Sequence, residues 1–81
     1  MQIKVLGPGC PKCHETERLV REAVAEAGPN VRNSAEVVKV SDFQEMAALG
    51  VFATPAVVVD GVVKCSGKVP SKQEVLAWLG A

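Results

Sequence analysis

Cys10 and Cys13 lie three positions apart inside the stretch GPGCPKCHE, Gly7 to Glu15, and are the side chains most able to do chemistry. Thiols at this spacing can exchange electrons as a dithiol and a disulfide, hold a soft metal ion, or anchor a haem. CPKCH also satisfies the haem-attachment pattern Cys-x-x-Cys-His. The spacing alone leaves all three open, so the choice falls to the elements that position the pair.

Gln2 to Leu6 reads as a short strand, broken by Gly7, Pro8 and Gly9. A helix is expected from Cys10–Pro11, because proline at the first helical position loses nothing by lacking an N–H. Its apolar stripe is Cys13, Val20, Ala23, Val24 and Ala27, with Leu19 alongside, and Gly28-Pro29 stops it. AEVVKV, Ala35 to Val40, is a second strand. Ser41 or Asp42 can cap a second helix, with Gln44 or Glu45 completing a capping box, Met46, Ala47 and Leu49 turned inward, and Gly50 as its end. Two β-branched runs around Asp60-Gly61 form a hairpin signal, and Ser71 with Glu74 makes a capping box for a last helix that packs Val75, Leu76 and Leu79.

The order β-α-β-α-β-β-α predicts an α/β fold: a four-stranded mixed sheet with three helices. Its opening β-α-β unit implies a parallel pair joined by a right-handed crossover. Runs such as Val57-Val58-Val59 are apolar on both sides, so helices must cover both faces.

The 81 residues suit a single domain, 1–81, and 48% apolar content supports a core that 4% aromatics leave mostly aliphatic. Nine basic and nine acidic residues are interspersed at zero formal charge, which argues against nucleic acid and a membrane surface as partners. No apolar run approaches the roughly 20 residues of a membrane span. The first residues already read as a strand, so no cleavable leader is expected and the location is expected to be cytoplasmic. Three cysteines, an odd number, argue against a stapled secreted framework. In a reducing compartment a close pair more often does chemistry or binds metal than serves as a crosslink.

Helix placement separates the two thiols. Cys10 sits at the helix mouth after a glycine-rich turn and is expected to be accessible, whereas Cys13 begins the buried stripe. Unpaired N–H groups and the positive end of the helix dipole favour a thiolate there. Lys12 can add to this, as can His14, which follows Cys10 by four residues and shares its helical face.

GPGCPKC, followed by GVFATPAVVVDGVVKCSGKVPS, resembles the small thioredoxin-like, glutaredoxin-sized disulfide proteins, and the resemblance covers nearly the whole chain. It implies the thioredoxin-like fold and a disulfide oxidoreductase with no cofactor beyond a redox-active Cys10–Cys13 disulfide. Cys10 is then the nucleophile and Cys13 the resolving thiol, and Pro55 is cis. Thr54, Pro55 and Lys12 shape the substrate-binding surface, with the Thr54 backbone pairing with an incoming peptide. The implied partners are protein disulfides and a thioredoxin-reductase-like or other upstream electron donor, acting on a monomer. The chain also departs from the pattern of the family it resembles. Gly9 stands where most thioredoxins carry tryptophan, and Pro11-Lys12 replaces their Gly-Pro. The paired glycines and aspartate with which glutaredoxins hold glutathione are missing from Cys65-Ser66-Gly67-Lys68, and the first strand lacks the buried acid of thioredoxins.

A two-residue Asp60-Gly61 turn would pair Val59 with Val62, Val58 with Val63 and Ala56 with Cys65. Cys65 would then lie beside Pro55, either as a small buried hydrophobe or as an accessory thiol. Cys10, Cys13, His14 and Cys65 together define the alternative, a zinc or copper(I) carrier. Against it, small metallochaperones continue with a hairpin after the first helix, whereas this chain continues with a strand and a helix. Haem attachment is disfavoured by the expected lack of export. Val51, Phe52 and Ala53 are assigned either to a partner-facing apolar surface or to the core.

Overall fold

A computed structural model describes residues 1–80. Strand β1 (Gln2–Leu6) lies at the centre of a four-stranded sheet of order β2-β1-β3-β4. It pairs parallel with β2 (Glu36–Val40), Ile3 opposite Val37, and antiparallel with β3 (Ala56–Val59), Val5 opposite Val57. β4 (Val62–Ser66) completes an antiparallel hairpin with β3 and forms one edge. The sheet is mixed, as the element order requires.

Helix α1 (Pro11–Glu26) buries Cys13, Thr16, Val20, Ala23 and Val24. Thr16 lies at helical spacing between Cys13 and Val20, and its hydroxyl donates to the Lys12 carbonyl at 2.8 Å, so no polar atom is orphaned. On the outer face Arg21 pairs with Glu17 at i,i+4.

The expectation of three helices needs correction, since four are present among the described residues. Gly28, at φ +105, ends α1, but Pro29 then opens a short α2 (Pro29–Ser34) as its first helical residue. Ala35 N–H closes that turn on the Val31 carbonyl at 2.7 Å. Gly-Pro here is both a stop and a restart.

Helix α3 (Phe43–Ala48) is capped by Asp42, whose carboxylate accepts from Gln44 N–H at 2.9 Å. The expected capping box does not form, because the Glu45 carboxylate reaches instead to Lys4 Nζ at 3.1 Å. Met46 is buried and Leu49 half-buried, but Ala47 is exposed, contrary to its assignment inward. Helix α4 (Lys72–Trp78) carries the full capping box, with Ser71 Oγ accepting from Glu74 N–H and Glu74 Oε1 from Ser71 N–H, both at 3.1 Å.

The sheet separates two apolar cores. One joins Ile3, Val5, Val57 and Val59 to Val20, Ala23 and Val24 of α1 and Val75 and Leu79 at α4. The other joins Leu6, Val40, Ala56 and Val58 to Met46 and Val51 beside α3. Alternating residues of β1 and β3 supply opposite cores, which accounts for the unbroken apolar run of β3.

The hairpin departs from the expected register. Asp60 (φ +49) and Gly61 (φ +82) form the predicted two-residue turn, and Val59–Val62 and Val58–Val63 pair as expected. Lys64 is then an extra residue, so Val57 faces Cys65 and Ala56 faces Ser66. This β-bulge moves every later side chain of β4 to the other face. Cys65 therefore joins the core under α1 and α4, and Ser66 takes the place beside Ala56 that simple alternation reserves for Cys65.

Ile3 is fully buried at the centre of the sheet. Ile3→Ala is expected to lower the unfolding free energy by about 2–5 kcal/mol, read from the urea midpoint at unchanged slope. Phe52→Ala, which removes an exposed ring, is expected to change it by less than about 0.5 kcal/mol.

Candidate functional site

Cys10 is the N-cap of α1, with extended backbone (φ −70, ψ 164). Its Sγ accepts from Cys13 N–H at 3.3 Å, and its carbonyl accepts the first helical bond from His14 N–H at 3.0 Å. The sulfur stands where serine or aspartate usually caps a helix, so the orphan N–H groups of the first turn serve the thiolate. Cys10 is partly exposed, while Cys13 retains 1% exposure.

The two thiols are held in unequal states. Hydrogen bonding from the Cys13 side chain, then from its backbone N–H, lowers the Cys10 pKa below that of an ordinary thiol. Burial, then the side-chain hydrogen bond with Cys10, raises that of Cys13. The proton affinities of the pair are thus offset, the outer sulfur giving up its proton more readily than the inner one.

Gly7 explains how Cys13 fits. It is buried at the end of β1, where its N–H donates to the Val40 carbonyl at 2.9 Å. A Cβ at Gly7 would overlap Cys13 Sγ, lie 3.0 Å from Cys13 Cβ and stand 3.8 Å from Thr54 Cβ. The glycine admits the sulfur against the backbone and shows that the strand end, Cys13 and Thr54 meet at one point. The Thr54–Pro55 peptide is cis, as the resemblance implies.

Thr54 is half-buried and Pro55 buried, while Lys12 and His14 are exposed at the helix mouth. His14 turns toward the loop: a Cβ on Gly9 would lie 4.0 Å from its Nε2. The surface stretch divides, with Val51 entering the core and Phe52 remaining 86% exposed. Phe52, Phe43 (69% exposed), Met46, Ala47, Val51 and Thr54 line an apolar groove of about 280 Å³.

Cys65 is 8% exposed, burial raises its pKa, and its Sγ lies 3.9 Å from the Lys68 carbonyl. Among the described residues no group of three or more His, Cys, Asp or Glu side chains is placed to hold a metal ion, so the four-residue carrier set is not assembled. Sequence reasoning missed Ser66 and Gly67. Ser66 Oγ donates to the Ala53 carbonyl at 3.0 Å, and Gly67 N–H donates to the Pro55 carbonyl at 2.9 Å. Only the bulge brings Ser66 there, and no signal in the hairpin sequence announces it.

A partly exposed outer sulfur with a lowered pKa and a buried inner one with a raised pKa, held by a helix mouth against a mixed sheet, suit dithiol–disulfide exchange. The class is that of disulfide oxidoreductases with the thioredoxin fold. The thioredoxin domain family matches residues 1–80, and the chain belongs to it. A thioredoxin of Methanocaldococcus jannaschii is 45% identical over 73 residues, covering 90% of this chain and 79% of that protein. A thioredoxin of Methanothermobacter thermautotrophicus is 37% identical over 75 residues, covering 93% and 92%.

Gly7→Ala is expected to destabilise the reduced protein by about 1–3 kcal/mol through overpacking, and to speed alkylation of the displaced Cys13. Because only the thiolate is alkylated, raising the pH switches the reaction on. Half-maximal labelling of Cys10 with iodoacetamide is expected below the free-thiol value of about 8.5, and that of Cys13 above it. Mass spectrometry across a pH series separates the two sites.

Proposed function

We propose that this thiol–disulfide oxidoreductase acts on disulfides of proteins, with Cys10 as nucleophile and Cys13 as resolving thiol. The observation that carries the roles is the unequal placement of the pair, with a partly exposed Cys10 at the helix mouth whose pKa is lowered and a buried Cys13 whose pKa is raised. The apolar groove at Phe43 and Phe52 supports the substrate class, since it reaches Thr54 and offers a surface that a small disulfide would not fill.

Cys10 thiolate attacks one sulfur of the substrate disulfide. A Cys10–substrate bond forms, the substrate S–S bond breaks, and the departing sulfur leaves as a thiolate. Forming the mixed disulfide removes the charge on Cys10, and with it the hydrogen-bond acceptor that the Cys13 thiol had used. Cys13 then gives up its proton and attacks the Cys10 sulfur, making the Cys10–Cys13 disulfide and releasing the second substrate thiolate. The proton from Cys13 and one from solvent are available to the two new substrate thiols. Two electrons pass from the dithiol to the substrate, and an upstream dithiol donor restores them. Thr54, Pro55 and Lys12 border the approach to Cys10, and the same chemistry needs no cofactor.

Cys13→Ser is expected to accumulate a covalent, reductant-sensitive adduct with a disulfide-bearing protein such as insulin, seen as a mass increase on non-reducing gels. Cys10→Ser is expected to form none and to lose at least about a hundredfold in disulfide reduction. Equal trapping by the two variants would reverse or dissolve the assignment of roles.

A further inference from the structure

The loop carrying Thr54 is held on both sides and open in the middle. Its flanking carbonyls, of Ala53 and Pro55, are bound by Ser66 Oγ and Gly67 N–H. Among the described residues, neither the N–H nor the carbonyl of Thr54 makes a hydrogen bond. Ala53 is exposed and Thr54 half-buried, so this peptide edge meets solvent next to the position of Cys13. An unpaired edge of this kind accepts an extended chain through main-chain hydrogen bonds.

The Ala53 carbonyl and the Thr54 N–H belong to one planar trans peptide group and point in opposite directions. Binding that carbonyl to β4 therefore aims the N–H away from β4, toward an arriving chain. The hydroxyl that does this reaches the loop because the extra residue Lys64 sets Ser66 opposite Ala56. Without the bulge a thiol would stand there, and a thiol is a weak donor. Gly67 completes the fit, with φ +82 and only 3.2 Å between its would-be Cβ and Ala53 Cβ.

We infer that Ser66 is a positioning residue for disulfide exchange, fixing the Ala53–Thr54 peptide plane so that Thr54 presents its N–H to an extended segment of a protein substrate. It acts through Thr54 and lies outside the dithiol. The assignment rests on the protein-substrate reading, and the two fail in different experiments.

Ser66→Ala and Ser66→Thr are compared with the unaltered protein in dithiothreitol-driven reduction of insulin and of 5,5′-dithiobis(2-nitrobenzoate). The expected result for Ser66→Ala is a KM for insulin raised about fivefold, with kcat and the small-disulfide rate essentially unchanged. Ser66→Thr, which keeps the hydroxyl, restores KM. In parallel, NMR of Ser66→Ala is expected to shift the Ala53 carbonyl and speed hydrogen exchange at Thr54. An unchanged KM, an equal loss on both substrates, or an unmoved Ala53 carbonyl would overturn the Ser66 assignment. Failure of the unaltered protein on insulin, with the small disulfide reduced normally, would instead overturn the protein-substrate reading. The carbonyl shift would still report the clamp.

Discussion

The contact between the Gly7 backbone and the Cys13 sulfur is the constraint on which the site depends. It leaves no room for a single additional carbon atom at Gly7, so the end of β1 and the first turn of α1 are locked at a fixed separation. Cys13 then has its thiol shut off from water, and Cys10, one residue ahead of the helix, is left at the boundary with solvent. A looser junction would wet both sulfurs and bring their proton affinities together. The chemical difference between the two cysteines thus originates in packing, and the helix mouth amplifies it.

The same economy runs through the rest of the molecule. β1 pairs on both edges and supplies side chains to both cores, so a five-residue strand organises most of the chain. α1, with 16 residues, shields one face, whereas α3 covers the other with six. The thinner side is where the aromatic rings of Phe43 and Phe52 stand in solvent and where the groove opens. Coverage that is generous behind the dithiol and sparse beside it leaves apolar surface where a partner can meet the site.

Much of this was legible in the residues. The β1 and α1 boundaries, the buried Cys13, the Asp60-Gly61 turn and the Ser71–Glu74 box follow from local rules of alternation, helical spacing and capping, and those rules act over a few residues. The cis Thr54–Pro55 bond came from resemblance, since local preference favours trans. What escaped depends on relations that local pattern does not encode. Glu45 had two possible partners, its own helix N-terminus and Lys4 on β1, and the one distant in sequence prevailed. Gly28-Pro29 carries the marks of a terminus and equally of a new first turn. The place of Lys64 in β4 is invisible to alternation, because a bulge costs one residue and leaves the composition of the strand unchanged. That single residue decided whether Cys65 or Ser66 stands at the active end.

The bulge also bears on the outer margin of the sheet. β4 is an outer strand, and Val62 and Val63 on it are exposed. A straight ribbon with such residues would be a template onto which another chain could stack rung by rung. The surplus residue at Lys64 breaks the even spacing of amides and carbonyls along that margin and adds a cationic side chain there. The molecule therefore carries an irregular, charged rim along β4 and, beside the cysteine pair, a loop in which the Thr54 N–H and carbonyl are left unpaired among the described residues.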